Sequence, residues 1–163
     1  MSTRAQQQPT TSAASAGAEV TRQLVVFSLG EEEYALPITQ VQEIVRYTEP
    51  RAVASESAWI RGVISLRGKV VPVFDLGARL GLASESSSNA KIVIVETEAG
   101  IAGVIVDEVD EVRTVAVDEL ESVPGAGGDF IDTIAKVDDR LIILLNLEGL
   151  FMGIELGEST TAG

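Results

Sequence analysis

The chain has 163 residues, with 12 basic and 25 acidic side chains, a net charge of −13, and neither cysteine nor histidine. These absences exclude disulfides, thiolate nucleophiles, zinc held by Cys or His, Ser-His-Asp catalysis and phosphorylation on histidine. The acidity opposes binding to phosphate backbones and anionic lipids, and 4% aromatic residues is too little for a nucleic-acid stacking surface.

Met1 to Arg22 is rich in Ser, Thr, Ala and Gln without apolar periodicity and reads as a disordered tail, as does Leu156 to Gly163. No apolar stretch resembles a signal peptide or a membrane span, so the chain is expected to be cytoplasmic. The folded part is expected over residues 23–155.

Gln23 to Leu29 and Glu33 to Ile38 form a hairpin around Gly30-Glu31-Glu32. Thr39 is placed to cap a short helix from Gln40 to Val45, with Val41, Ile44 and Val45 on one face. Glu49 to Ala58 reads as loop. Gly62 to Leu66 and Lys69 to Phe74 form a second hairpin around Arg67-Gly68, and Asp75 caps a short helix over Leu76 to Leu80, ended by Gly81.

The serine-rich stretch Ala83 to Asn89 is a linker. Beyond it Lys91 to Val95 and Ile101 to Val106 pair around Glu98-Ala99-Gly100. Val109 to Val112 stands where the first short helix stood, although the Val-rich run to Val117 leans to strand. Pro124 to Gly128 reads as a mobile loop. Thr133 to Val137 and Arg140 to Leu145 form a hairpin around Asp138-Asp139, and Asn146 caps a last turn through Phe151.

The second half repeats the first. Leu24 to Phe27 falls on Ile92 to Val95, and Val41 to Ile44 on Val109 to Val112, both at an offset of 68. Ile60 to Leu80 falls on Ile131 to Phe151 at an offset of 71. A period near 70 residues indicates two similar modules, a first copy over 23–82 and a second over 90–152. Short strands joined by tight turns favour closed barrels, which remove exposed edges. The expected fold is all-β: two SH3-like five-stranded barrels from an internal duplication, packed side by side, with short helices and room for strands to be exchanged between them. Each copy is small for independent stability, so a shared core is expected. A cleft between packed copies is a usual binding place.

The carboxylates Glu31-Glu32-Glu33, Asp107-Glu108, Asp110-Glu111, Asp118-Glu119 and Glu121 fall in turns and at strand ends. There they read as solvated surface rather than a catalytic pair, which would need two acids in different environments facing one cleft. No segment has the spacing of a calcium loop, and the glycine-rich stretches lack the Lys-Ser/Thr ending of a phosphate loop. Arg67 stands apart: it occupies a hairpin tip where the second copy has Asp138. A guanidinium fork at such a tip suits partner recognition.

Leu24 to Leu29, Glu31 to Ile38 and Val41-Gln42-Glu43-Ile44 resemble the opening of the chemotaxis coupling proteins of the CheW family. Trp59 to Gly68 followed by Val71-Pro72-Val73-Phe74-Asp75-Leu76 resembles that family's central motif, with Ser65 where the family usually has Asn. Ile92 to Val95, Gly103 to Asp107 and Leu141 to Leu147 continue the likeness. The resemblance implies two five-stranded barrels and a non-enzymatic adaptor without catalytic residues, cofactor or metal. It implies coupling of methyl-accepting chemoreceptor tips to the regulatory domain of a chemotaxis histidine kinase, in rings beneath receptor arrays. It implies no nucleic acid and no membrane insertion, a chain monomeric when alone, and location at membrane-bound arrays through partners. Carried over by position, Val41, Glu43, Arg67, Ile92 and Val93 line or flank the receptor groove. Kinase-contacting residues are not assigned beyond exposed apolar side chains at a barrel end. Coupling in a non-flagellar chemosensory pathway is the near alternative. A small acidic enzyme with paired carboxylates in the cleft is the distant one.

Overall fold

The computed structural model describes residues 20–54, 59–82, 89–122 and 130–152. The serine-rich linker (but for Asn89), the glycine loop at 124–128 and both tails (but for Val20, Thr21 and Arg22) lie outside these residues.

Two-residue turns set the local structure. Strands β1 (Thr21–Leu29) and β2 (Glu32–Pro37) pair around Gly30, which takes φ 61°. Strands β4 (Ile60–Leu66) and β5 (Lys69–Asp75) pair around Arg67-Gly68, at φ 53° and 80°. Strands β6 (Lys91–Thr97) and β7 (Gly100–Val106) pair antiparallel, as do β10 (Ile131–Val137) and β11 (Arg140–Leu145), the last two around Asp138-Asp139 at φ 51° and 66°. Paired positive φ values give the mirror-image turn whose twist matches that of the flanking strands. Helices α1 (Leu76–Arg79) and α2 (Leu147–Leu150) begin at matched caps: Asp75 accepts from the Ala78 N–H, and Asn146 from the Gly149 N–H.

The short helix expected from Gln40 to Val45 is a strand instead, and its second-copy counterpart is the strand towards which its Val-rich run leaned. Ile38–Gln40 makes one 3-10 turn and the chain then extends as β3 (Val41–Arg46); Glu108–Ala116 is β8 throughout. Apolar residues at Val41, Ile44 and Val45 fit a helical face, but pairing decides the outcome. β3 lies antiparallel on β6, and β8 on β1. Each has a register shift at the same repeat position, between Val41 and Glu43 and opposite Val26/Phe27, where Glu111 and Val109 sit. The bulge thus survives as a shared feature of the duplication.

Two sheets result. Their orders are β8-β1-β2-β11-β10-β9, where β9 is the two-residue strand Leu120–Glu121, and β3-β6-β7-β5-β4. We call the first barrel I and the second barrel II. The strands are exchanged relative to the repeat. Barrel I takes the first copy's opening hairpin and the second copy's later strands, and barrel II takes the reverse. One parallel pairing per barrel joins the copies, β11 to β2 through Ile143 and Tyr34, and β5 to β7 through Phe74 and Val104.

Each barrel has its own interior: Leu24, Val26, Ile142 and Leu144 in barrel I, and Val71, Val73, Ile92, Ile94 and Ile101 in barrel II. A larger core lies between them, with Phe27, Leu36, Trp59, Phe74, Val93, Leu147 and Phe151 fully or nearly buried. Trp59, Phe74 and Phe151 cluster there with centroids 4.4–5.2 Å apart, Trp59 stacked on Phe151 and Phe74 edge-on to it, arrangements that aromatic pairs favour. Burial of this apolar surface against both barrels makes the pair one unit. Among the described residues no helix is long and apolar enough to cross a membrane.

Candidate functional site

The β4–β5 turn projects Arg67 into solvent, with 75% of its side chain exposed. Its Nη1 reaches back to Glu43 on β3, 2.6 Å from Oε1 and 2.8 Å from Oε2. β3 and β4 are the two end strands of the barrel II sheet, so this ion pair closes the barrel at one end of its seam. At the other end Arg51 and Val63 exchange two backbone hydrogen bonds of 2.8 and 2.9 Å. An exposed pair of this kind contributes about 0.2–1 kcal/mol. Left-handed backbone costs an ordinary residue about 1–2 kcal/mol, and Arg67 occupies it where Gly or Asn would sit more easily. The turn therefore holds its guanidinium in place at a net local cost or near balance, as is common where a side chain serves recognition.

Val41 opens β3 on the same strand as Glu43, partly buried against the inter-barrel core. Ile92 and Val93 lie elsewhere. Both are 0% exposed, Ile92 inside barrel II and Val93 between the barrels. They pair with Val45 and Ile44 of β3 and so back the strand that carries Val41 and Glu43. Glu43 and Arg67 are thus brought together, Val41 lies on the same strand as Glu43, and Ile92 and Val93 are covered behind that strand. The continuous apolar run Ile92 to Val95 is the signature of a strand covered on both faces, and that signal could have placed them inside.

Barrel I carries the counterpart with inverted sign. Asp138 at its tip, 73% exposed, pairs at 2.7 Å with Arg113 of β8. Arg140 adds a fork onto Glu33 at 2.9 and 3.0 Å and onto Glu111 at 3.1 Å, and these contacts hold its guanidinium firmly charged. Both copies keep Glu at one repeat position of the neighbouring strand, Glu43 and Glu111, while the partner of Asp138 is Arg113, at the repeat position of Val45. Each tip thus has a partner of opposite charge, so charge reversal alone does not mark Arg67 as functional.

The acids are engaged structurally. Asp107 accepts from the Gly30 N–H at 2.7 Å, Glu119 from the Ala116 N–H at 2.9 Å, and Asp110 from the Ser28 hydroxyl at 2.8 Å. Burial pushes the Asp110 carboxyl above the usual range, the Ser28 hydrogen bond opposes this, and Glu33 and Glu108 push it further up. Asp110 and Glu33 are the nearest approach to a carboxylate pair, but they lie on the β8–β1–β2 surface of barrel I with Glu33 clasped by Arg140. Among the described residues no group of three or more His, Cys, Asp or Glu is arranged to hold a metal.

Sequence reasoning missed a set of exposed apolar side chains that come in matched pairs. Ile44 (38%) and Val70 (66%) of barrel II correspond by repeat position to Val112 (54%) and Leu141 (58%) of barrel I. Their signal was present in the repeat alignment, as apolar residues at positions that point outward beside charged neighbours.

Known proteins share this arrangement. A family profile described as a CheW-like domain matches residues 23–155. The probable chemotaxis protein CheW of Rhizobium etli is 33% identical over 139 residues, covering 82% of this chain and 90% of that protein. Chemotaxis protein CheW of Bacillus subtilis is 38% identical over 128 residues, covering 76% and 82%. The crystal structure of scaffolding protein TtCheW from Thermoanaerobacter tengcongensis superposes with a TM-score of 0.77 at 38% identity, covering 82% of this chain and 94% of that one. With the profile spanning most of its length and the two-barrel fold in common, this chain belongs to the CheW-like domain family.

Proposed function

We propose that this protein is a non-enzymatic adaptor that couples methyl-accepting chemoreceptors to a chemotaxis histidine kinase in signalling arrays. Family membership and likeness to a scaffolding protein support the class of function. The observation that carries the site is Arg67, exposed at a tight turn and paired with Glu43. Val41, Glu43 and Arg67 form the receptor contact, backed by Ile92 and Val93. An apolar residue beside an oriented ion pair suits a helical tip, which offers both apolar and charged side chains along one face.

The kinase contact is assigned to barrel I, around Val112 and Leu141. These are large apolar side chains more than half exposed, and they stand on the barrel that does not carry Arg67. Receptor and kinase then bind at once, and modest affinities suffice because an array supplies avidity. The adaptor changes kinase output by holding the two in a fixed relation, so that a receptor shift favours one kinase state. With no membrane-crossing helix among its described residues, it reaches receptor arrays through these partners.

Capture of partners from a native lysate tests this reading. Wild type recovers kinase and receptors, Arg67→Glu recovers the kinase but loses receptors, and Leu141→Asp does the reverse. Wild type that recovers neither rejects the coupling role. Recovery of a kinase from a non-flagellar chemosensory system would keep the mechanism and change the pathway.

A further inference from the structure

The seam of barrel II holds a groove of about 590 Å³ that the seam of barrel I lacks the means to form. Its walls include Val45 of β3, Ile64 and Leu66 of β4, and Val70 of β5, and Arg46 and Arg51 stand at its rim. The corresponding positions in barrel I explain the difference. Where barrel II has Val45, barrel I has Arg113, and where barrel II has Ser65, barrel I has Lys136. Arg113 reaches across the barrel I seam to Asp138 at 2.7 Å, and Lys136 reaches Glu121 on the adjoining β9 at 3.4 Å. β9 pairs with β10 as Arg51 pairs with Val63 in barrel II, and its Leu120 packs on the barrel interior.

Among the described residues, four cations around the barrel II groove, Arg46, Arg51, Lys69 and Lys91, have no carboxylate within ion-pair distance. Arg46 and Arg51 line the groove, Lys69 pairs with the lining residue Leu66, and Lys91 pairs with Arg46. Of the remaining described cations, Arg79 stacks on Trp59 and Phe130 and the others are ion-paired. Among the described residues, the cations with neither a carboxylate nor an aromatic partner thus gather round one apolar groove. One acid, Glu49, shares the rim.

The backbone adds a third feature. In a two-residue hairpin Leu66 and Lys69 form the hydrogen-bonded pair. Ser65, opposite Val70, therefore directs its N–H and C=O away from β5 and into the seam, as Val63 does where it bonds Arg51. We infer that this groove binds an acidic, extended peptide segment of a partner protein, with apolar side chains against Val45, Ile64 and Leu66, carboxylates on Arg46 and Arg51, and backbone continuing from Arg51 along the edge at Ser65. The groove adjoins the Arg67–Glu43 end of the same seam but its lining uses neither residue, so the inference stands whether or not the receptor and kinase assignments hold. Charge complementarity selects the partner, and strand addition supplies backbone bonds at an exposed edge.

Fluorescence anisotropy of the full chain with a labelled heptapeptide alternating Val and Glu tests it. Saturable binding is expected to wild type, weakened about tenfold or more in Arg46→Glu/Arg51→Glu by charge reversal. It is also lost in Val45→Arg/Ser65→Lys, which brings the barrel I side chains to this seam, and unchanged in Met152→Ala, an exposed residue remote from the lining. Circular dichroism melts verify folding, and the rim variant decides if the filled-seam variant does not fold. Absence of saturable binding, equal binding of a Val and Lys peptide, or binding indifferent to the rim reversal would each overturn the inference. Vesicles of phosphatidylglycerol bound through the same arginines, with no peptide bound, would assign the groove to a lipid surface instead.

Discussion

Barrels I and II derive from one repeat and differ most at their seams. In barrel I the tip residue is Asp138 and its partner Arg113 reaches it from β8, while Lys136 holds Glu121 on the adjoining β9. In barrel II the tip is Arg67 with Glu43 as its partner, and short side chains leave an apolar groove whose arginines have no ion-pair partner among the described residues. An ion pair at the tip is kept, with its polarity inverted and its strand partner two repeat positions apart. What differs is the filling. The duplication conserved the closure of the barrel, which folding requires, and let the two seams diverge, which folding tolerates.

The largest way to break this comparison is at Gly62. A Cβ there would lie 2.1 Å from the Arg51 carbonyl oxygen, at a backbone φ of +147°. The matching position in barrel I is Thr133, which carries a full side chain. Gly62→Ala should cost about 3 kcal/mol or more, as steric and backbone conflicts combine, measured by urea unfolding. Wild-type stability in this variant would mean that the Arg51–Val63 bridge is dispensable.

A smaller contrast is Gly103, whose repeat partner in barrel I is Ala35. A Cβ at Gly103 would meet Ile92 Cγ2 at 2.7 Å, and the neighbour is a side chain that can turn. Gly103→Ala is expected to cost about 1–3 kcal/mol. Combining it with Ile92→Val should recover part of that loss, as a double-mutant cycle would reveal.

Smaller still is inversion of the barrel II tip pair to the polarity of barrel I. Arg67→Glu and Glu43→Arg should each lose less than about 1 kcal/mol and restore stability when combined. Receptor capture should stay lost in the double variant. Recovered capture would show that the ion pair matters as a clamp rather than as a recognition surface.

The smallest effect belongs to Asp110. Its carboxyl is raised above 3.8, chiefly by burial, so the folded chain holds this proton more tightly than the unfolded chain does. The associated stability is fully present below the ordinary carboxyl range and is lost as pH rises through the raised value. Asp110→Asn keeps an acceptor for Ser28 and removes the charge. At neutral pH its Tm should rise by about 1–2 °C, with a flatter dependence on pH above 4. An unchanged pH profile would remove Asp110 as its source.

Hairpins and helix caps were legible because their causes are local. Arg67-Gly68 and Asp138-Asp139 set turns, and Asp75 and Asn146 set caps, within a few residues. β3 was not legible, because Val41, Ile44 and Val45 satisfy a helical face as well as a strand, and the choice falls to β6 about 50 residues away. The site was half legible. Arg67 announced itself at a turn, but whether Ile92 or Val93 reaches the surface depends on layers packed over both faces of β6. The barrel II groove could have been read from the repeat, by asking which side chain replaces Arg113 and Lys136.

Strand exchange has a consequence for biosynthesis. Barrel II uses β3 to β7, one unbroken stretch from Val41 to Val106, whereas barrel I joins the chain's first described strands to its last. On the ribosome the middle of the protein can close before either end. The opening hairpin gains β8 on its β1 side first, but its β2 side must wait until β11 emerges, since Tyr34 has its sheet neighbour at Ile143. The order of synthesis and the order of assembly therefore differ, and a nascent chain cut short before β11 would display a finished barrel beside an open three-stranded sheet with the β2 edge bare.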